Sequence, residues 1–186
     1  QSINYGSYGG ALSTTGQSET IRSNVIIANS SFTNNTINAT TRGYGGAISI
    51  TASDLRINNT NFTDNTVNST KSNSYGGAIA TTGESITQGS IVNIDNAIFT
   101  NNIANSTDHY SYGGAVAITG TNITINNTQF NRNIANSTSY GSYGGAVATT
   151  GESETRNSNM TIENSIFTNN IATGNVRNYG GAISTI

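Results

Sequence analysis

The sequence predicts an all-β fold, a parallel β-solenoid in which near-identical coils stack along one axis. Three observations carry that expectation. Tyr-Gly-Gly-Ala recurs six times, beginning at Tyr8, Tyr44, Tyr75, Tyr112, Tyr143 and Tyr179. The five phenylalanines, Phe32, Phe62, Phe99, Phe130 and Phe167, all stand between these motifs. Each Phe has an Asn three residues after it (Asn35, Asn65, Asn102, Asn133, Asn170) and another three residues before it (Asn29, Asn59, Asn96, Asn127, Asn164). Self-similarity at a period of a few tens of residues is how repeat architectures announce themselves, because one unit cannot bury its apolar face alone.

The repeat alternates. Successive motif tyrosines are 36, 31, 37, 31 and 36 residues apart. The stretch from Phe to the next Tyr is nearly constant, whereas the stretch from Tyr to Phe switches between 24 and 18 residues. The longer version holds an insertion of the type Thr-Gly-Glu-Ser, at Thr82–Ser85 and Thr150–Ser153, with Gln17 replacing Glu in Thr15–Ser18. The unit is therefore a pair of coils, long then short. Residues 1–186 read as one solenoid domain of about five to six coils in alternating long/short pairs.

The apolar residues have the period of strands. Val25 and Ile27, Leu55 and Ile57, Val92 and Ile94, Ile123 and Ile125, and Met160 and Ile162 stand seven and five residues before their Phe. A separation of two puts both side chains on one face of a strand. One aliphatic residue follows each Gly-Gly-Ala: Leu12, Ile48, Ile79, Val116, Val147 and Ile183. Short Val, Ile and Thr runs bounded by Gly and Asn are strand signals, so each coil is expected to wind through about three short strands. Coils in register stack like on like, giving Phe ladders inside and hydrogen-bonded Asn ladders at the corners, in both Asn columns. Gly-Gly gives the backbone freedom for a sharp corner, and the Ala beside it is expected to point into a narrow interior.

Composition excludes several classes of function. Charged residues make up 9% of the chain and the net charge is −2, too little clustered Lys or Arg for nucleic acid or an anionic membrane surface. Cysteine is absent, which removes disulfides and thiolate metal sites. No apolar run reaches the ~18 residues of a membrane helix. The carboxylates fall mostly in different columns. Glu84 and Glu152 share one, as do Glu19 and Glu154, but the former pair lies two coils apart, roughly 9.6 Å at the strand spacing, so neither a hydrolase pair nor a calcium site is expected. His109, the single histidine, reads as a solvated loop residue. No catalytic residue, metal site or cofactor is assigned, and no enzyme activity is expected.

Gly-Gly-Ala-Ile together with Phe-x-x-Asn resembles the repeat of the chlamydial polymorphic outer membrane proteins. Ser31-Phe32-Thr33-Asn34-Asn35-Thr36 and Tyr44-Gly45-Gly46-Ala47-Ile48 are also similar to adhesin-like surface proteins of methanogenic archaea. The resemblance spans the whole chain. It implies a right-handed parallel β-helix displayed on a cell surface, with a role in adhesion. The chain differs in having no cysteine and no recognisable C-terminal barrel pattern. The steady Tyr and the strict long-short alternation are its own features.

Asn-x-Ser/Thr sequons mark a candidate glycan face. Asn38, Asn68, Asn105 and Asn136 stand six residues after their Phe, in a connection that reads as a surface loop; Thr173 breaks the column. Strand parity adds Asn58, Asn126, Asn122 and Asn159 as outward sequons. Asn29 is also in a sequon, but is assigned to a corner ladder. N-linked glycans belong on the surface of an extracellular protein, where they would add solubility that so few charges do not supply.

No polar cap is recognisable, so open strand edges are expected to pair with further coils, end to end, in a homopolymer. The leading expectation is a glycosylated structural solenoid that builds a surface fibre or stalk, with itself and covalent glycans as partners. The alternative is the repeat region of a cell-surface adhesin that binds host, cell or carbohydrate ligands. A lesser one is ice binding, through the row Thr15, Thr51, Thr82, Thr119 and Thr150 that follows the first five motif alanines by four residues.

Overall fold

The computed structural model describes residues 6–15, 23–82, 91–150 and 158–186. Beyond their first threonines, the Thr-Gly-Glu-Ser insertions lie outside the described residues, as do Glu19, Glu84, Glu152 and Glu154. Everything described is strand or turn.

A coil contains five strands rather than three. In the second coil they are Gly43–Tyr44, Ile48–Thr51, Asp54–Asn58, Asn61–Thr63 and Thr66–Ser69. Their counterparts in other coils stack into five sheets, here called the tyrosine, threonine, long, phenylalanine and sequon sheets. Every strand pair is parallel, and the columns are in register: Phe62 faces Phe32 and Phe99, and Asn68 faces Asn38 and Asn105. The described strands thus form a parallel β-solenoid.

The extra corners come from residues with left-handed backbone. Asn29, Asn59, Asn96, Asn127 and Asn164 separate the long and phenylalanine sheets, with φ between 47° and 50°. Asn34, Asp64, Asn101, Arg132 and Asn169 separate the phenylalanine and sequon sheets, with φ between 54° and 57°. Asn and Asp tolerate this region better than other non-glycine residues. At the motif, the two glycines have different tasks. Gly76 has φ +58°, and a Cβ there would lie 1.9 Å from the Ile79 carbonyl oxygen. A Cβ on Gly77 would lie 2.2 Å from the Gly114 carbonyl oxygen and 2.4 Å from the Ile103 nitrogen. The first glycine makes the turn; the second lets the next coil come close.

The main core is built from the expected columns. Ala47, Ala78, Ala115 and Ala146 are buried in it, with the aliphatic residue that follows each and with Leu55, Ile57, Val92, Ile94, Ile123 and Ile125. Phe32, Phe62, Phe99, Phe130 and Phe167 stack with centroids 4.7–5.1 Å apart and ring planes within 6° of parallel. Each buried Phe contributes roughly 2–3 kcal/mol by leaving water.

A second ladder lies outside this core. Tyr8, Tyr44, Tyr75, Tyr112, Tyr143 and Tyr179 stack at 4.7–5.1 Å. Tyr44 and Tyr75 pack on Ala80 and Ala117, on the outer face of the threonine sheet. That sheet is therefore buried on both faces, and all four residues of Ile48–Thr51, Val116–Thr119 and Val147–Thr150 are buried. Hydroxyls fasten each tyrosine strand to the sequon strand that ends its own coil: Ser74 Oγ donates to the Asn105 carbonyl, Ser111 Oγ to that of Asn136 and Ser142 Oγ to that of Thr173.

Candidate functional site

Two asparagine ladders run along the solenoid, one inside and one outside. The inner ladder is the column three residues after Phe. The backbone N–H and Nδ2 of Asn65 both donate to Asn102 Oδ1, at 3.1 and 2.9 Å. Its other amide hydrogen goes back to the Phe32 carbonyl at 2.9 Å. Asn102 repeats this with Asn133 Oδ1 and the Phe62 carbonyl, and Asn133 with Asn170 Oδ1 and the Phe99 carbonyl. Asn35 donates to Asn65 Oδ1 in the same way. Asn65, Asn102 and Asn133 are fully buried, yet every amide hydrogen and the Oδ1 of each is used, which is the condition for burying polar groups cheaply. The ladder has a direction: each oxygen faces the preceding coil, and each backbone N–H and one amide hydrogen face the following one.

The outer ladder is the sequon column. Asn38, Asn68, Asn105 and Asn136 do not lie in a loop. They lie in the strands Thr36–Ala39, Thr66–Ser69, Ile103–Ser106 and Ile134–Ser137. Alternation explains the difference: Ile37, Val67, Ala104 and Ala135 point in and are buried, so the asparagines next to them point out. Small inward alanines gave this strand too weak an apolar pattern to be seen as one. Asn68 Nδ2 donates to Asn38 Oδ1 at 3.0 Å, Asn105 to Asn68 at 3.3 Å and Asn136 to Asn105 at 2.8 Å. One amide hydrogen per rung is thereby used.

The remaining sequon asparagines face outward from the long sheet or its flank. Asn58, Asn122 and Asn159 are exposed and Asn126 is half-buried. Asn126 Nδ2 donates to Asp95 Oδ1 at 3.1 Å. Two further sequons escaped the column search: Asn61-Phe62-Thr63, whose Asn61 is exposed beside the buried Phe, and Asn34-Asn35-Thr36 at a left-handed corner. Reading strand parity through Phe-1 as well as upstream of Phe would have found the first.

The column three residues before Phe is not a continuous ladder. Asn59 Nδ2 does donate to Asn29 Oδ1, at 2.7 Å. Asn96, Asn127 and Asn164 instead donate diagonally to Asn58, Asp95 and Asn126 of the preceding coil. Ala28, which precedes Asn29, offers no side-chain acceptor, whereas Asn58, Asp95 and Asn126 in the same place of later coils do, and the whole column is exposed.

The threonine row is closed over. Thr51, Thr119 and Thr150 are 8%, 8% and 3% exposed, and the hydroxyls of Thr119 and Thr150 bond to each other at 2.6 Å. Thr51, Thr119 and Thr150 thus offer no open face to ice or any other surface, because the strands that carry them are covered on both sides.

His109 is half-exposed in the turn after the sequon sheet, with Nδ1 3.4 Å from Asp108 Oδ2. Its ring stacks on Tyr140 at 5.5 Å, and Tyr110 packs against Tyr140 and edge-on to Tyr143. Burial, and then the neighbouring Tyr110 and Tyr179, push the Tyr143 hydroxyl above its ordinary pKa, while Arg177 opposes this. Among the described residues, no three His, Cys, Asp or Glu side chains are grouped to hold a metal ion, and no helix is long and apolar enough to cross a membrane.

One groove on the outer surface was not anticipated. It has a volume of about 590 Å³, a floor of Ile103, Ile134 and Ile171, and a rim of Asn101, Arg132 and Asn169. The floor exists only in the later coils, because Thr36 and Thr66 occupy its column in the first two. Compared with protein-family models, curated proteins and solved structures, the chain matches none, so its fold and its ladders stand without a family assignment.

Proposed function

We propose that the chain is a non-enzymatic structural protein of the cell exterior, a glycosylated solenoid rod that lengthens a surface fibre or stalk by stacking coil on coil. The observation that carries this reading is the polarity of the inner ladder. Asn35 at one edge of the described ladder donates to Asn65 Oδ1, and Asn170 at the other accepts on Oδ1 from Asn133, so an acceptor, Asn35 Oδ1, faces one end of the stack and a donor, the Asn170 N–H, faces the other. A coil of the same column chemistry completes either edge, whether it belongs to the same chain or to a second copy. Contacts between copies of this kind are head-to-tail and do not close, so they build filaments. Outward sequon columns and the low charge favour glycans as the solubilising coat, and the Gly-Gly-Ala and Phe-x-x-Asn resemblance favours a surface location.

Electron microscopy of the purified chain tests the fibre. Filaments of uniform width are expected, and dispersed particles at all concentrations contradict it. Intact mass of native material tests the coat, with a mass above that of the bare polypeptide expected.

The exposed aromatic group around Tyr140 favours a second reading, the ligand-binding repeat region of an adhesin related to the families named above. It predicts saccharide or cell binding that Tyr140→Ala abolishes without changing the fold.

A further inference from the structure

We propose that the isoleucine groove is the seat of the chain's own N-linked sugars at Asn105 and Asn136. The inference rests on the glycosylated reading and deepens it by assigning which sequons hold an ordered sugar and what holds it. Ile103 and Asn105 are two residues apart on the outer face of one strand, as are Ile134 and Asn136. Two residues of strand span about 6.7 Å, so a sugar ring joined to the asparagine reaches back over the isoleucine beside it.

The chemistry of the ladder permits the attachment. Asparagine Nδ2 displaces phosphate from the anomeric carbon of a phosphate-activated sugar. The C–N bond forms, the C–O bond to phosphate breaks with its electron pair leaving on the phosphate, and Nδ2 gives up one proton. One hydrogen remains on Nδ2. Asn136 needs only one to keep its 2.8 Å bond to Asn105 Oδ1, and Asn105 only one for Asn68 Oδ1. The ladder and the sugar therefore use different hydrogens.

The groove matches a pyranose in character. Its aliphatic floor takes the C–H face of a ring, and Asn101, Arg132 and Asn169 stand at the rim, where hydroxyl groups need donors and acceptors. Asn101, Arg132 and Asn169 all have left-handed backbone. Asn38 and Asn68 lack this seat, because Thr36 and Thr66 replace the isoleucines. Four chemically alike sequons are thus divided into two seated and two unseated.

Glycopeptide mass mapping of the protein from a glycosylating host, followed by endoglycosidase release from the folded chain, reads this division. Release at Asn105 and Asn136 is expected to be at least about tenfold slower than at Asn38 and Asn68, a factor equal to ~1.4 kcal/mol. Replacing Ile103, Ile134 and Ile171 by Thr, which the first two coils already carry in that column, should equalise the rates. Equal rates at all four sites in the unaltered chain overturn the seat and leave glycosylation standing. So does occupancy confined to Asn38 and Asn68. A bare polypeptide mass overturns the glycosylated reading itself, and the seat with it.

Discussion

Asn102 and Asn105 are three residues apart and have opposite tasks. Asn102 is sealed inside, and its loss strands the Asn65 donors and the Phe62 carbonyl without water. Each stranded group costs about 1–3 kcal/mol, so Asn102→Ala should lower stability by roughly 3 kcal/mol or more in urea unfolding. Asn105→Ala removes only outward amide bonds that water replaces, and should cost less than about 1 kcal/mol. The motif glycines can be separated in the same way. Gly77→Ala drives a Cβ into the backbone of the next coil, whereas at Gly181 the nearest heavy atom is the Asn170 carbonyl oxygen, 3.7 Å away. The first should prevent folding of this chain or cut its melting temperature sharply; the second should leave it nearly unchanged. Tyr143 titrates in its own way. Its folded pKa lies above the unfolded value of about 10, so between the two values the folded state binds more protons. The resulting stability is present below pH 10 and lost as pH rises through the folded pKa. Ultraviolet titration of Tyr143→Phe should lose part of the absorbance change that the unaltered chain shows above pH 10.

At the scale of strands, the residues that repeat identically were the legible ones. The Phe column and the Asn column after it each have one residue type in five coils, because like must stack on like in a sealed interior. The corner after Phe was illegible for the opposite reason. Its left-handed residues are Asn, Asp, Asn, Arg and Asn, set by backbone shape more than by side chain, so the start of the strand that follows has no fixed residue to mark it. The sequon strand reads as a loop because its inward residues shrink to Ala104 and Ala135 in the later coils. Burial of the threonine row was beyond any local pattern, since it depends on tyrosines from another strand closing over the sheet. The Phe ladder offers the test at this scale. Phe99 stacks on both Phe62 and Phe130 at 4.7 and 4.8 Å, so Phe99→Ala should cost about 3–5 kcal/mol. In hydrogen exchange the loss should be felt by the coils on both sides.

The described strands form a stack of parallel coils whose true unit is a long and a short coil together. Strands one coil apart are separated by about 4.8 Å along the stacking axis. Alternation in coil length doubles that repeat without disturbing the register of the sheets, which pair residue for residue across every long-short step. Diffraction from aligned material, or the power spectrum of electron micrographs of the rods, measures both spacings at once. The predicted result is a strong layer line along the rod axis at about 4.8 Å with a weaker one at about 9.6 Å. A strand spacing lying across the rod axis, or no spacing near 4.8 Å along it, would contradict the stack.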